Sequence, residues 1–262
     1  MQRWRRALIT GASAGIGREF ARQLASQGTD LVVVARREER LQQLARELEP
    51  RVAVEVLVAD LADNAEVERV VLRVQSDTDP VDLLINNAAV ASTDAFVKLP
   101  IESQLAAVSV NVTALVALSH AAAQRMTAAG AGTIINISSI SGNQPRGALA
   151  VYGATKAFVT SFSQALAIEL EGTGVGCTVV LPGLTTTEFH LSSGIIDNSP
   201  AVLWMRPEDV VAKALAAASA GRRLVIPGAV NKVVSMLATP RPGRVRERAA
   251  RVVIAAVKGV RR

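Results

Sequence analysis

One cysteine, one tyrosine and two histidines are all this chain has of three chemically versatile residue types. With Cys177 alone no intrachain disulfide can form, and its place in the apolar run CTVVLP makes a buried, inert thiol the expected state. No His, Cys, Asp or Glu cluster has metal-ligand spacing, so no metal centre is expected. Aromatics make up 3% of the 262 residues, which leaves Val, Leu, Ile and Ala to build the core. No apolar run approaches the ~18 residues of a spanning helix. The opening MQRWRRALITG runs from a short basic stretch straight into a strand pattern and lacks the apolar core of a secretory leader, so a cytoplasmic location is expected.

Acidic residues are scarce at one end only. From Arg241 to Arg262 eight basic side chains face Glu247 alone, a local charge of +7, so the rest of the chain, within a formal net charge of +6, carries −1. A basic groove through the main body is excluded, and with it a nucleic-acid-binding role for that body.

What is present is an alternation. Short apolar runs at 7–10, 30–35, 52–59, 81–86, 132–138, 175–182 and 223–227 lack strict polar alternation, as strands buried on both faces do. Helical patterns separate them, such as 18–27 and 38–49, the latter with Leu41, Leu44, Ala45 and Leu48 on one face. This order predicts an α/β fold, a single doubly wound parallel sheet of Rossmann type with helices on both faces. Residues 1–240 read as this catalytic domain. TPRPGR at 239–244 is the one clear break, and 241–262 reads as a basic helical extension.

The first strand runs into Thr10-Gly11-Ala12-Ser13-Ala14-Gly15-Ile16-Gly17. Glycines at that junction let the chain turn sharply and bring its backbone N–H groups to a pyrophosphate at a helix N-terminus. An ordinary strand–helix turn is the alternative. About 20 residues further on, where NAD enzymes usually carry an acidic residue for the ribose 2′-OH, stand Arg36 and Arg37. A guanidinium suits a 2′-phosphate, so NADP(H) is expected over NAD(H), with Arg36 as the reader and Ser13 adding a hydroxyl. At least one of the two arginines is expected to be the solvated start of a charged helix.

Tyr152-Gly153-Ala154-Thr155-Lys156 places Tyr152 and Lys156 on one helical face. A neighbouring ammonium is expected to lower the phenol pKa from about 10, so that Tyr152 exchanges a proton with a carbonyl or alcohol oxygen. Lys156 would also hydrogen-bond the nicotinamide ribose. Ser139, at the end of the strand GTIINIS, is positioned to donate to the substrate oxygen, with Ser138 as the competing candidate. Tyr152 is the only tyrosine, so no other residue can fill that role.

Taken together, TGASAGIG, Asp60-Leu61, Asn86-Asn87-Ala88-Ala89, Asn111, Ser139, YGATK and Pro182-Gly183 resemble the short-chain dehydrogenase/reductase family in order and approximate spacing, from about residue 5 to 190. The resemblance implies that Asp60 and the Leu61 backbone contact adenine, and that Asn86, with neighbours including Ala88, packs beside the adenine ribose. It implies that Asn111 joins Ser139, Tyr152 and Lys156 and holds a water on a proton relay; an Asn that stabilises a helix kink is the bland reading. Pro182 and Gly183 would wall the nicotinamide, and Thr185 and Thr187 would face its carboxamide and the phosphates. NNAA stands where the family usually has NNAG, and Thr185 where an apolar residue is commoner.

The resemblance also implies a substrate lid after Pro182-Gly183, at about 188–206. Its Phe189, Leu191, Ile195, Ile196, Val202, Leu203, Trp204 and Met205 suit a small hydrophobic ketone or alcohol substrate, or simply pack the loop down. His190 is expected to be polar surface. Residues 228–238 and 244–260 read as helices. The apolar and basic stripes of the second suit a membrane surface, a second subunit or its own domain. By resemblance a homodimer or homotetramer is expected. The leading reading is an NADP(H)-dependent oxidoreductase acting on a hydrophobic ketone or secondary alcohol. A 3-oxoacyl-thioester reductase of lipid metabolism and a non-catalytic NADP-binding sensor are the alternatives.

Overall fold

The computed structural model describes residues 4–189 and 204–238. The expected helix at 244–260 and most of the expected lid, His190 included, lie outside the described residues.

Seven strands form one parallel sheet in the order β3-β2-β1-β4-β5-β6-β7. They are β1 (Arg6–Thr10), β2 (Asp30–Ala35), β3 (Val54–Val58), β4 (Leu83–Asn86), β5 (Gly132–Ile137), β6 (Val175–Val180) and β7 (Leu224–Val225). The helices are α1 (Gly15–Ser26), α2 (Glu38–Leu48), α3 (Asn64–Gln75), α4 (Ile101–Val108), α5 (Leu115–Ala129), α6 (Ala150–Glu169), α7 (Pro207–Ser219) and α8 (Ala229–Ala238).

Side-chain alternation divides the core between two helix layers. Ile9, Val33, Ile85 and Ile135 face Phe20 and Leu24 of α1, Leu41 and Leu44 of α2, and Val211 and Leu215 of α7. Their neighbours Leu8, Val32, Leu84 and Ile134 face Val67, Val70 and Val74 of α3, Leu118 and Met126 of α5, and Leu170 after α6. A strand covered on both sides must be apolar at every position, which is why these runs show no period of two. β3 departs from that expectation. It has a single neighbour, β2, and its Glu55 is exposed and paired with Arg73. An edge strand needs no second apolar cover, and a charge on it blunts edge-to-edge association.

Residues 101–129 form one continuous helical run, long and apolar enough by composition to cross a bilayer. Leu115, Leu118, Ala121, Ala122 and Met126 are instead buried in the protein. The run combines α4, a π-helical stretch from Ser109 to Ala114, and α5.

The strand order reverses between β1 and β4. In an open α/β sheet the crevice for a ligand opens there, beyond the carboxyl ends of the strands. The loops carrying the glycines, Asn87 and Ser139 all emerge at this edge.

Candidate active site

At the end of β1 the chain enters the left-handed region at Gly11 (φ 67°) and again at Gly15 (φ 53°), conformations costly for a residue with a Cβ. Space is short as well. A Cβ on Gly11 would lie 2.9 Å from the Ala88 Cα, and one on Gly15 would lie 3.0 Å from the Thr187 side chain. Gly17 has ordinary φ but no room, since its Cβ would fall 2.3 Å from the Gly11 carbonyl oxygen. Ile16 packs against the core between them.

The loop is tied down by residues that the sequence pattern left unassigned. The Thr10 hydroxyl accepts from the backbone N–H groups of Asn87 (2.9 Å) and Ala88 (3.0 Å) and donates to the Ile85 carbonyl (3.3 Å). The Asn87 amide donates to the carbonyls of Thr10 (2.9 Å) and Gly11 (3.3 Å). Asn87 therefore holds the glycine loop against β4. Asn86 corrects the expectation placed on it. Its amide, 4% exposed, turns into the helix layer and donates to Ser119 (3.0 Å) and Asn136 (2.9 Å) rather than lining the crevice. Asn136 continues the chain to Ser163 on α6 (2.9 Å). The physical reason is strand alternation: consecutive residues at the end of β4 must point to opposite faces.

Beyond β2 the two arginines separate. Arg36 reaches Asp60 at 3.7 Å, both side chains well exposed, while Asp60 accepts from the Ala62 N–H (3.0 Å) and Leu61 is buried beneath. Arg37, the residue just before α2, donates to the Ser13 hydroxyl from Nη2 (3.0 Å) and Nε (3.3 Å). The arginine that meets the glycine loop is thus Arg37, whereas the sequence reading favoured Arg36. Glu188 completes this corner, with Arg37 Nη1 at 3.3 Å and Arg40 in contact with the same carboxylate oxygen.

At the end of β5 the two serines also separate. Ser138 donates its hydroxyl to the Lys156 carbonyl (2.7 Å), beside Thr160 (2.7 Å), and so fastens β5 to α6. The Ser139 hydroxyl accepts from the Ser141 N–H (3.1 Å) and lies beside Tyr152, whose pKa it lowers. Lys156 donates from Nζ to the Ile137 carbonyl (2.8 Å) and lies 5.8 Å from the Tyr152 ring centroid. Asn111 lies in the π-helical stretch, nearly fully buried. Its amide donates to the Val90 carbonyl (2.9 Å) and Thr155 hydroxyl (3.1 Å), and its oxygen accepts from the Val90 N–H (2.9 Å). With both donors committed, the side chain anchors the segment after β4 to α6. Any bound water would have to use the remaining acceptor capacity or backbone carbonyls loosened by the π turn.

The electrostatics differ from expectation in one respect. Burial pushes the Tyr152 phenol up to about 12, and the nearby Ser139 hydroxyl only partly opposes this. Burial pulls the Lys156 ammonium down to about 8. Removal from water here outweighs the mutual benefit of the pair, because each charged form loses its hydration. In the protein by itself Tyr152 is therefore a proton donor. Since it is the only tyrosine, the pH-dependent change in absorbance at 295 nm reports it alone. We expect almost no tyrosinate at pH 10, where a free phenol is about half ionised. Half-ionisation at that pH in the folded protein would contradict the burial argument. Added NADP+, bringing a positive ring, is expected to move the onset to lower pH.

The remaining wall follows β6. The Pro182 carbonyl accepts from the Ile140 N–H (3.0 Å), and a Cβ on Gly183 would lie 2.3 Å from the Asn231 amide oxygen of α8. The Thr185 hydroxyl donates back to the Gly183 carbonyl (3.1 Å), stiffening this turn. The backbone there pairs with Met205, through Thr186 N–H to Met205 carbonyl (3.0 Å) and Met205 N–H to Leu184 carbonyl (2.8 Å). Phe189 rests its ring 5.7 Å from that of Tyr152. Cys177 is buried, with its thiol pushed up to about 12, as expected of an inert core residue. Among the described residues no His, Cys, Asp or Glu group is arranged to hold a metal.

A doubly wound parallel sheet with a glycine cradle at its switch point and a Ser, Tyr and Lys group beside it defines a dinucleotide-dependent dehydrogenase fold. The sequence profile of the short chain dehydrogenase family matches residues 5–194, and the chain belongs to that family. Sulfoacetaldehyde reductase 2 of Chromohalobacter salexigens is 39% identical over 186 residues, covering 70% of this chain and 74% of that protein. A short-chain dehydrogenase from Sphingobium yanoikuyae, solved in complex with NADPH, superposes with a TM-score of 0.82 at 36% identity, covering 92% of this chain and 98% of that one. The bulky-bulky ketone specific alcohol dehydrogenase from Comamonas testosteroni superposes with a TM-score of 0.78 at 33% identity, covering 94% of this chain and 99% of the other. The protein is thus an oxidoreductase of the type that acts on alcohol and carbonyl groups with a nicotinamide cofactor.

Proposed function

We propose that this chain is an NADP(H)-dependent oxidoreductase that interconverts a small hydrophobic ketone and its secondary alcohol. The observation that carries the reading is the grouping of Ser139, Tyr152 and Lys156 at the same sheet edge as the glycine cradle, with Lys156 Nζ 5.8 Å from the Tyr152 ring centroid. The residues fit a dinucleotide, since the loop turns through left-handed φ at Gly11 and Gly15, where a side chain is costly, and Ser13 and Arg37 converge where β2 ends. Gly11, Gly15, Ile16 and Gly17 would hold the pyrophosphate side, and Ser13, Arg36 and Arg37 the 2′-phosphate. Asp60, Leu61 and Ala88 would border the adenosine, and Pro182, Gly183, Thr185 and Thr187 the nicotinamide side.

When bound, the nicotinamide supplies or accepts the hydride. Ser139 donates to the substrate oxygen and holds it against Tyr152. Tyr152 releases its proton to that oxygen in reduction, which its raised pKa in the free protein permits, and recovers it in oxidation. Lys156, buried and held by the Ile137 carbonyl, places its charge where a developing phenolate is stabilised. Asn111 positions α6 through Thr155. Phe189, lying over the Tyr152 ring, favours an apolar substituent on the substrate over an ionic one.

The reading is tested by fluorescence titration of the purified protein with NADPH and NADH, then by following NADPH oxidation with small hydrophobic ketones and with sulfoacetaldehyde. Tighter NADPH binding and faster turnover of the ketones are expected. Preference for sulfoacetaldehyde would overturn the substrate assignment, and binding without turnover of any carbonyl would favour a sensor. Cytoplasmic location and assembly as a homo-oligomer belong to the same proposal, and size-exclusion chromatography with light scattering tests the latter.

A further inference from the structure

Thr187, Glu188 and Phe189 each touch a different part of the site. Thr187 packs over Gly15, Glu188 binds Arg37 and Arg40, and Phe189 rests on Tyr152. The middle residue is the unusual one. Arg37 is shared between the Ser13 hydroxyl and the Glu188 carboxylate. Arg40 converges on the same Glu188 oxygen that Arg37 contacts. Ser13 and Arg37 are the groups assigned above to the 2′-phosphate, and an anion from the protein's own chain is already bound to that arginine. We propose that Glu188 is an internal competitor for the cofactor's 2′-phosphate, tempering affinity for NADP(H) relative to NAD(H). The inference rests on the NADP(H) reading above.

Two observations favour competition over a purely structural brace. The Glu188 side chain is 53% exposed and the arginines 48% and 44%, so the pairs are accessible to an incoming phosphate rather than locked in the core. The two arginines and the carboxylate also leave only one net positive charge at the corner, where a 2′-phosphate brings close to two negative ones. Removing the carboxylate raises the positive potential at the phosphate without touching a donor. Glu188 itself is held well below the usual carboxylate range, chiefly by the hydrogen bond from Arg40, so it stays charged throughout the neutral range.

The test is the binding of 2′,5′-ADP and of ordinary 5′-ADP, by calorimetry, to the full-length protein and its Glu188→Gln variant. Glutamine keeps the size and hydrogen-bonding reach and removes the charge. The variant is expected to bind 2′,5′-ADP about two- to fivefold more tightly, the range expected when half-exposed ion pairs are released. Its affinity for 5′-ADP is expected to stay within about twofold, and the gap between the proteins to narrow as salt is raised. Unchanged or weaker binding of 2′,5′-ADP by the variant overturns the proposal, and equal weakening of both nucleotides makes Glu188 a brace. If the unsubstituted protein binds 2′,5′-ADP no better than 5′-ADP, the NADP(H) reading itself fails, and this inference with it.

Discussion

Replacing Tyr152 with Phe is expected to lower kcat by about 10²- to 10⁴-fold, the range over which positioned acid–base groups contribute. The affinity for NADPH is expected to stay within about twofold, because the substitution deletes one hydroxyl and keeps the ring. That ring packs against Phe189 and lies beside the Lys156 ammonium, and both contacts survive the change. Only the hydroxyl beside Ser139 is lost. Following NADPH oxidation at 340 nm, together with a fluorescence titration, separates chemistry from binding. Near-normal turnover would refute the assignment, since no second tyrosine can substitute. A matched loss of NADPH affinity would mean that Tyr152 acts by shaping the cofactor site.

Removing the guanidinium of Arg37, as Arg37→Ala, is expected to raise the Kd for NADPH by about 10- to 100-fold, the worth of one charge-assisted hydrogen bond to a phosphate. The Kd for NADH, which has no 2′-phosphate, is expected to change far less. The variant also leaves Glu188 with Arg40 as its only remaining arginine, so the local potential becomes less favourable to an anion. Arg36→Asp is expected to shift preference toward NAD(H) by a smaller factor, because Arg36 faces Asp60 at 3.7 Å with its side chain 64% exposed. The reverse ranking would return the role of 2′-phosphate reader to Arg36. Titrating each variant with both nucleotides decides it.

The two arginines show where local pattern stops. Their position after β2, twenty-odd residues beyond the glycine loop, is legible in a linear sequence because the spacing of a βαβ unit is nearly constant. Which of two adjacent arginines turns toward Ser13 depends on where α2 begins, and Arg37 sits at its N-terminus. Ser138 and Ser139 pose the same problem and resolve the same way. Both meet α6, but Ser138 fastens to the Lys156 carbonyl while Ser139 lies by Tyr152 one turn earlier. Asn86 and Asn87 also differ, because strand alternation sends one amide into the helix layer and the other to the glycine loop. Glu188 could not be found from spacing at all. It lies 151 residues from Arg37 and 148 from Arg40, and nothing local requires a carboxylate there.

The sequence by itself determined the parallel sheet, the two helix layers, the glycine cradle and the shared helical face of Tyr152 and Lys156. Each follows from interactions within a turn of helix, a strand or a single βαβ unit, where residue type and spacing suffice. Tertiary structure alone decided the direction of the Tyr152 pKa, the division of labour within the Arg36–Arg37, Ser138–Ser139 and Asn86–Asn87 pairs, and the placing of Glu188 on the arginines. Those outcomes depend on burial and on contacts between segments far apart in the chain. Desolvation is a property of everything packed around a group, not of its neighbours in sequence, and so the phenol that a nearby ammonium should acidify is instead held protonated by the core that encloses it.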